Sequence, residues 1–153
     1  MKKYIISIII LVVLAISYWL VSPLWRNKVG IDNSPVVTSD TINNVPKVVS
    51  VGKGKLIPSE HEVEGTVEVF RQKDSTIDRL TLHFRDLKVT NGPDLRIYLS
   101  SSLDIKDAVD LGPIKANIGN VNYDIPSGTD IKKYKNVLIW CRAFGVLFSY
   151  AVV

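Results

Sequence analysis

Beyond residue 50 the chain alternates. TVEVF sets Val67 and Val69 on one side and Glu68 on the other. LTLHF gathers Leu80, Leu82 and Phe84 against Thr81 and His83, and DLRIYL gathers Leu95, Ile97 and Leu99 against Arg96 and Tyr98. Successive side chains of an extended strand point to opposite faces, so this period of two is that of half-buried strands. On that pattern His83 is expected to face solvent. Turn signals separate the runs: Lys73-Asp74-Ser75, Asn91-Gly92-Pro93, Leu111-Gly112-Pro113 and Pro126-Ser127-Gly128. No stretch after residue 50 carries the spacing of a long amphipathic helix. Short strands at regular spacing predict an all-β domain, an antiparallel β-sandwich or barrel. About 100 residues suffice for one such core without a disulfide.

The last two runs differ. Val137–Phe144 is apolar on both faces except at Arg142, and Val146–Val153 except at Ser149. Strands covered on both sides have this composition. Gly145 between them suits either a tight turn or a bulge in one continuous strand.

The first 25 residues have another character. After Lys2 and Lys3 no charge occurs until Arg26, and an apolar run extends from Ile5 to Val21. A spanning helix needs about 20 mostly apolar residues. A cleaved signal peptide would be cut best after Ala15-Ile16-Ser17, but Tyr18-Trp19-Leu20-Val21 beyond it is still apolar. The expectation is therefore an uncleaved signal-anchor over 1–25, with Tyr18, Trp19 and Trp25 as an aromatic belt. A flexible linker over 26–50, rich in Asn, Ser, Thr, Asp and Pro, follows, and then the β domain over 51–153. The basic flanks favour an inside N-terminus, which places the domain outside the cytoplasm, in a periplasm or at a cell surface.

Charge excludes one partner class. Residues 1–50 hold five Lys/Arg and two Asp, while residues 51–153 hold fourteen Lys/Arg and thirteen Asp/Glu. The domain itself is thus close to neutral and offers no basic stripe for nucleic acid. The single cysteine, Cys141, forbids an internal disulfide and a C-x-x-C pair. The only methionine is Met1, and His61 and His83 lack metal-ligand spacing, so no metal site is expected. No nucleophile elbow, P-loop or dinucleotide pattern occurs, so a conventional enzyme is not the expectation.

The thiol lies in WCRAF. On a strand Cys141 points with Val137, Ile139 and Ala143, while Trp140, Arg142 and Phe144 point the other way. Arg142 is then badly placed to stabilise a Cys141 thiolate. Two readings stay open: a small buried hydrophobe, or a reactive thiol left unpaired in an oxidising compartment.

Three blocks carry a resemblance. They are Thr90-Asn91-Gly92-Pro93-Asp94-Leu95, Gly119-Asn120-Val121-Asn122-Tyr123-Asp124-Ile125-Pro126 and Ile139-Trp140-Cys141-Arg142-Ala143-Phe144. Together they resemble the DM-thirteen domain, a β-rich extracytoplasmic module, over Val51–Val153. The family is usually glutamine where this chain has Val121. The resemblance implies a DOMON-like, jelly-roll-like sandwich and a role in electron transfer through the cysteine matched by Cys141. That cysteine would act as a bare thiol or as the ligand of a prosthetic group such as haem, with an unknown redox or extracellular partner. A functional rim would gather Asn91, Asp94, Asn122 and Tyr123 near the thiol, with Trp140 and Phe144 beside it. The same residues have plain structural uses, Asn91–Asp94 as a tight turn and Asn122 and Asp124 as backbone partners. The competing expectation is a non-redox module binding a ligand, carbohydrate or protein, with Cys141 in the core and Tyr98, Tyr123 and Tyr134 at its surface.

Overall fold

The computed structural model describes residues 2–22, 26–35 and 47–153, without the side chains of Lys2, Lys3 and Leu20. Among the described residues one helix, α1 (Lys2–Val21), precedes ten strands. These are β1 (Val29–Ile31), β2 (Lys47–Lys55), β3 (Ile57–Pro58), β4 (Val63–Lys73), β5 (Asp78–Val89), β6 (Leu95–Ser100), β7 (Val109–Pro113), β8 (Ile118–Ile125), β9 (Asn136–Cys141) and β10 (Val146–Val152). They form two five-stranded sheets, in the orders β1-β8-β5-β4-β2 and β3-β10-β9-β6-β7. Every pairing is antiparallel except that of β1 with β8.

The alternation is what packs the sheets together. Val67, Val69, Leu82 and Phe84 from the first sheet are fully buried, as are Ile97, Leu99, Val137 and Ile139 from the second. They belong to one contiguous apolar core. The strands apolar on both faces sit inside their sheet, and Leu138 on the outer face of β9 is buried between its cross-strand neighbours Tyr98 and Tyr150. Of the two uses open to Gly145, the structure takes the turn. β9 and β10 form a hairpin whose tip is Arg142–Gly145, with Gly145 at φ +66°, a conformation that glycine adopts without Cβ strain. A separate bulge lies between Leu147 and Ser149.

Two expectations need correction. His83 does lie on the face opposite Leu82 and Phe84, but it is only 1 % exposed. β5 is the central strand of its sheet, so Glu68 on β4 and Asn122 on β8 flank His83, and the Phe70 ring meets it edge-on at 6.3 Å. The outer face of a central strand is therefore not equivalent to solvent. The stretch 26–50 is also not all linker. Val29–Ile31 joins the first sheet in parallel register with Ile118–Asn120, and β2 begins at Lys47. Residues 36–46 of that stretch lie outside the described residues, as does Trp25 of the expected aromatic belt.

α1 is 20 residues long. Among the described residues no helix is long and apolar enough to cross a membrane. The described apolar side chains of α1 are nonetheless exposed on all sides, with Ile8 at 60 % and Leu11 at 65 %.

Candidate functional site

Cys141 is the last residue of β9. Its register partners are Leu95 at the start of β6 and Val146 at the start of β10. The side chain is completely buried in the core with Val137 and Ile139, on the face the alternation assigns to it. The next four residues are all exposed. The thiol therefore lies at the very end of the sandwich, one residue inside a solvent-exposed tip.

The turn Asn91–Asp94 lies against this end. Asp94 C=O accepts the Arg142 N–H (2.9 Å), and the Asp94 carboxylate accepts Arg142 Nε–H (2.7 Å). Arg142 is thus committed to Asp94. Gly92 is needed for close packing here, because a Cβ on it would stand 2.8 Å from Leu95 Cδ2 and 3.1 Å from the Phe148 ring. Phe148 is buried, and the exposed His61 ring stacks over it with centroids 3.9 Å apart. His61 had no distinguishing signal in the sequence beyond being one of two histidines.

The other expected rim residues lie elsewhere. Asn122 is on the opposite sheet, where its Oδ1 pairs with His83 Nδ1 (2.6 Å) and its Nδ2 donates to Asn33 C=O (2.9 Å). Tyr123 is 1 % exposed inside the core, edge-on to Phe84 at 5.8 Å. Its hydroxyl accepts Lys115 N–H (2.8 Å) and donates to Pro113 C=O (3.4 Å). Val121, where the resembling family has glutamine, is a buried core residue. Trp140 flanks the thiol on the outer face with its Nε1 buried and unpaired. Phe144 is not on a strand at all. It rides on the hairpin tip and is 70 % exposed. Asn91, Asp94, Trp140 and Phe144 are therefore grouped around the thiol end, while Asn122 and Tyr123 are not.

This arrangement does not fit a prosthetic group on the thiol. A ligand of that size wants a cavity of roughly 300–1,000 Å³ with its anchor on the wall. Three hollows among the described residues, of about 620, 740 and 510 Å³, are not lined by Cys141. Among the described residues no group of three or more His, Cys, Asp or Glu is placed to hold a metal ion.

A family model described as electron transfer DM13 matches residues 55–153. The chain belongs to the electron transfer DM13 family. Membership gives this DM13 domain a redox or electron-transfer role in general terms. No curated protein and no solved structure matches the chain. The matched region contains the only sulfur of the β domain, Cys141.

Burial pushes the Tyr123 phenol up to about 12, against the Lys115 N–H bond that pulls it down. The folded DM13 domain thus holds this proton more tightly than the unfolded chain, whose tyrosines titrate near 10. The stability so conferred is complete below pH ~10 and is lost as the pH rises toward 12. For a shift of that size it is on the order of 2–3 kcal/mol. Melting temperature measured from pH 9 to 12 is expected to fall more steeply for the wild type than for Tyr123→Phe. Equal slopes would show that Tyr123 does not carry the effect.

Proposed function

We propose that this DM13 chain is a membrane-anchored module with a DOMON-like sandwich outside the cytoplasm, in a periplasm or at a cell surface. In this reading it passes electrons through Cys141 as a bare thiol. Anchoring is supported by the uncharged apolar run from Ile5 to Val21 and by the exposure of its described apolar side chains all round α1. An isolated helix that is apolar all round needs an apolar surrounding. The electron-transfer reading rests on one observation. The only sulfur of the matched region is one residue from an exposed hairpin tip, although it is buried in the closed fold.

The chemistry follows from that position. The tip is held to the Asp94 turn by one backbone hydrogen bond and one exposed ion pair. Such a pair contributes about 0–1 kcal/mol and such a bond about 1 kcal/mol. Local opening of the tip is therefore a low-energy event compared with global unfolding. Once uncovered, the Cys141 thiol gives its proton to solvent and attacks one sulfur of a disulfide on the partner protein. The partner's S–S bond breaks, a Cys141–partner disulfide forms, and the departing sulfur leaves as a thiolate that takes up a proton. Cys141 is oxidised and the departing sulfur is reduced.

The test is Cys141→Ala in the full chain in its own membrane. The wild type is expected to form a mixed disulfide detectable on non-reducing gels, and the folded variant is expected neither to form it nor to support electron transfer. Undiminished electron transfer by the folded variant would overturn the thiol route. Complete burial of the side chain favours the competing reading, a non-catalytic module that binds a ligand, carbohydrate or protein with Cys141 as core. That reading expects the variant to lose some stability and no function.

A further inference from the structure

The segment following α1 is built into the domain although the family match begins at residue 55. Lys28 N–H donates to Asn117 Oδ1 (2.6 Å), and Lys28 C=O accepts the N–H groups of Asn117 (3.0 Å) and Ile118 (3.2 Å). Asn27 Oδ1 accepts from the amides of Asn91 (3.1 Å) and Asn117 (3.0 Å). The Asp32 carboxylate takes Asn122 N–H (2.8 Å). Between these bonds β1 lies so close to β8 that a Cβ on Gly30 would come within 2.4 Å of Asn120 O and Val121 Cγ1. Asn91, Asn120 and Asn122 of the motif blocks thus meet the segment that links helix to sandwich.

This clamp shortens the tether. From Val21, the last residue of α1, to the clamped Asn27 the chain reaches about 20 Å at full extension. A free linker over 26–50 would reach about 80 Å. Ser22 already lines the same hollow as Asn27 and the turn Asn91–Asp94. That turn binds Arg142, two residues before Phe144 on the hairpin tip. The helix exit, the Asp94 turn, the buried thiol and an exposed phenylalanine therefore share one end of the sandwich.

We propose that Asn27–Asn33 is a clamp that seats the Cys141 end of the sandwich on the surface of the bilayer holding α1, with Phe144 among the lipid headgroups. The proposal rests on the anchor reading above. Charges of both signs occur at this end, Arg26 and Lys28 as well as Glu60, Glu62 and Glu64. Proximity and the apolar tip carry the contact, so it persists on a zwitterionic bilayer. Electrons would then be exchanged at the membrane face, with a partner embedded in or lying on the same bilayer.

The full chain carrying Phe144→Cys in a Cys141→Ala background is labelled with a polarity-sensitive fluorophore and placed in phosphatidylcholine vesicles containing a headgroup nitroxide lipid. Ser127→Cys, at the exposed turn beyond the opposite end of β8, is the control. Emission from position 144 is expected to be quenched several-fold more than that from 127. Gly30→Val is expected to reduce quenching at 144 to the level at 127 while the protein still floats with the vesicles. Equal quenching at 144 and 127 in floating protein would overturn the docked pose and leave the anchor standing. Protein that fails to float would overturn the anchor and the docking with it. Hydrogen exchange on the unmodified chain provides a second reading, in which amides of the tip exchange more slowly in vesicles than in detergent. Unchanged exchange there would count against the pose without reliance on any variant.

Discussion

In the folded domain the Cys141 thiol is expected to react with a maleimide at least about a hundredfold more slowly than the same thiol in denaturant, a factor that corresponds to an opening free energy of about 2.7 kcal/mol. Sγ has no exposed surface, and its neighbours in register are Leu95 and Val146. Reaction must await an opening, and the smallest opening that uncovers it is release of Arg142–Gly145 from the Asp94 turn. Asp94→Ala removes the carboxylate that holds Arg142 and is expected to raise the labelling rate several-fold while changing global stability by less than about 1 kcal/mol. A rate that is fast and unaffected by Asp94→Ala would mean that the thiol is reached without tip opening. A rate that follows global unfolding in every variant would mean that the tip never opens alone, and the thiol would then be core. Cys141→Ser separates these further. A hydroxyl in this apolar position has no partner in register and costs on the order of 1–3 kcal/mol.

The period of two made the sandwich legible because each strand has one face on a single core, and residues such as Val67, Leu82 and Ile97 record that face directly. The doubly apolar runs recorded something more, that β9 and β10 are interior. Sequence alternation could not tell how far the outer face of each sheet is covered. That depends on strand order, which is a long-range property, and so His83 was placed on the correct face with the wrong exposure. Phe144 was misplaced for a local reason, since strand β9 ends at Cys141 and the alternation does not continue into the tip. In the sequence Asn91 and Asn122 stand out only through the motif blocks in which they occur. What the structure adds is that both serve the segment 27–33, which has no periodic pattern of its own and only Gly30 as a mark of close approach. The anchor expected over 1–25 has no counterpart among the described residues, where no helix is long and apolar enough to cross a membrane.

Tyr123→Ala is expected to destabilise the domain by about 3–5 kcal/mol, the usual cost of deleting a large buried ring. Several losses combine at this position. The ring is 1 % exposed and meets Phe84 edge-on at 5.8 Å, so its removal opens a cavity in the centre of the first sheet's core face. The hydroxyl also holds the chain entering β8, taking Lys115 N–H and donating to Pro113 C=O. Against a total stability of about 5–15 kcal/mol such a loss leaves a small margin. For a domain of this size it lowers the melting temperature by at least about 12 °C. Tyr123→Phe keeps the ring and loses only the two hydrogen bonds, at a cost of about 1 kcal/mol each or less. The pair therefore assigns Tyr123 its role. If the residue is structural, Tyr123→Phe retains electron transfer and Tyr123→Ala loses it only in proportion to unfolding, as followed by circular dichroism. If instead Tyr123→Phe stays folded and loses electron transfer, the phenol takes part in the chemistry. The route would then have to run through the core of the sandwich rather than out through its tip.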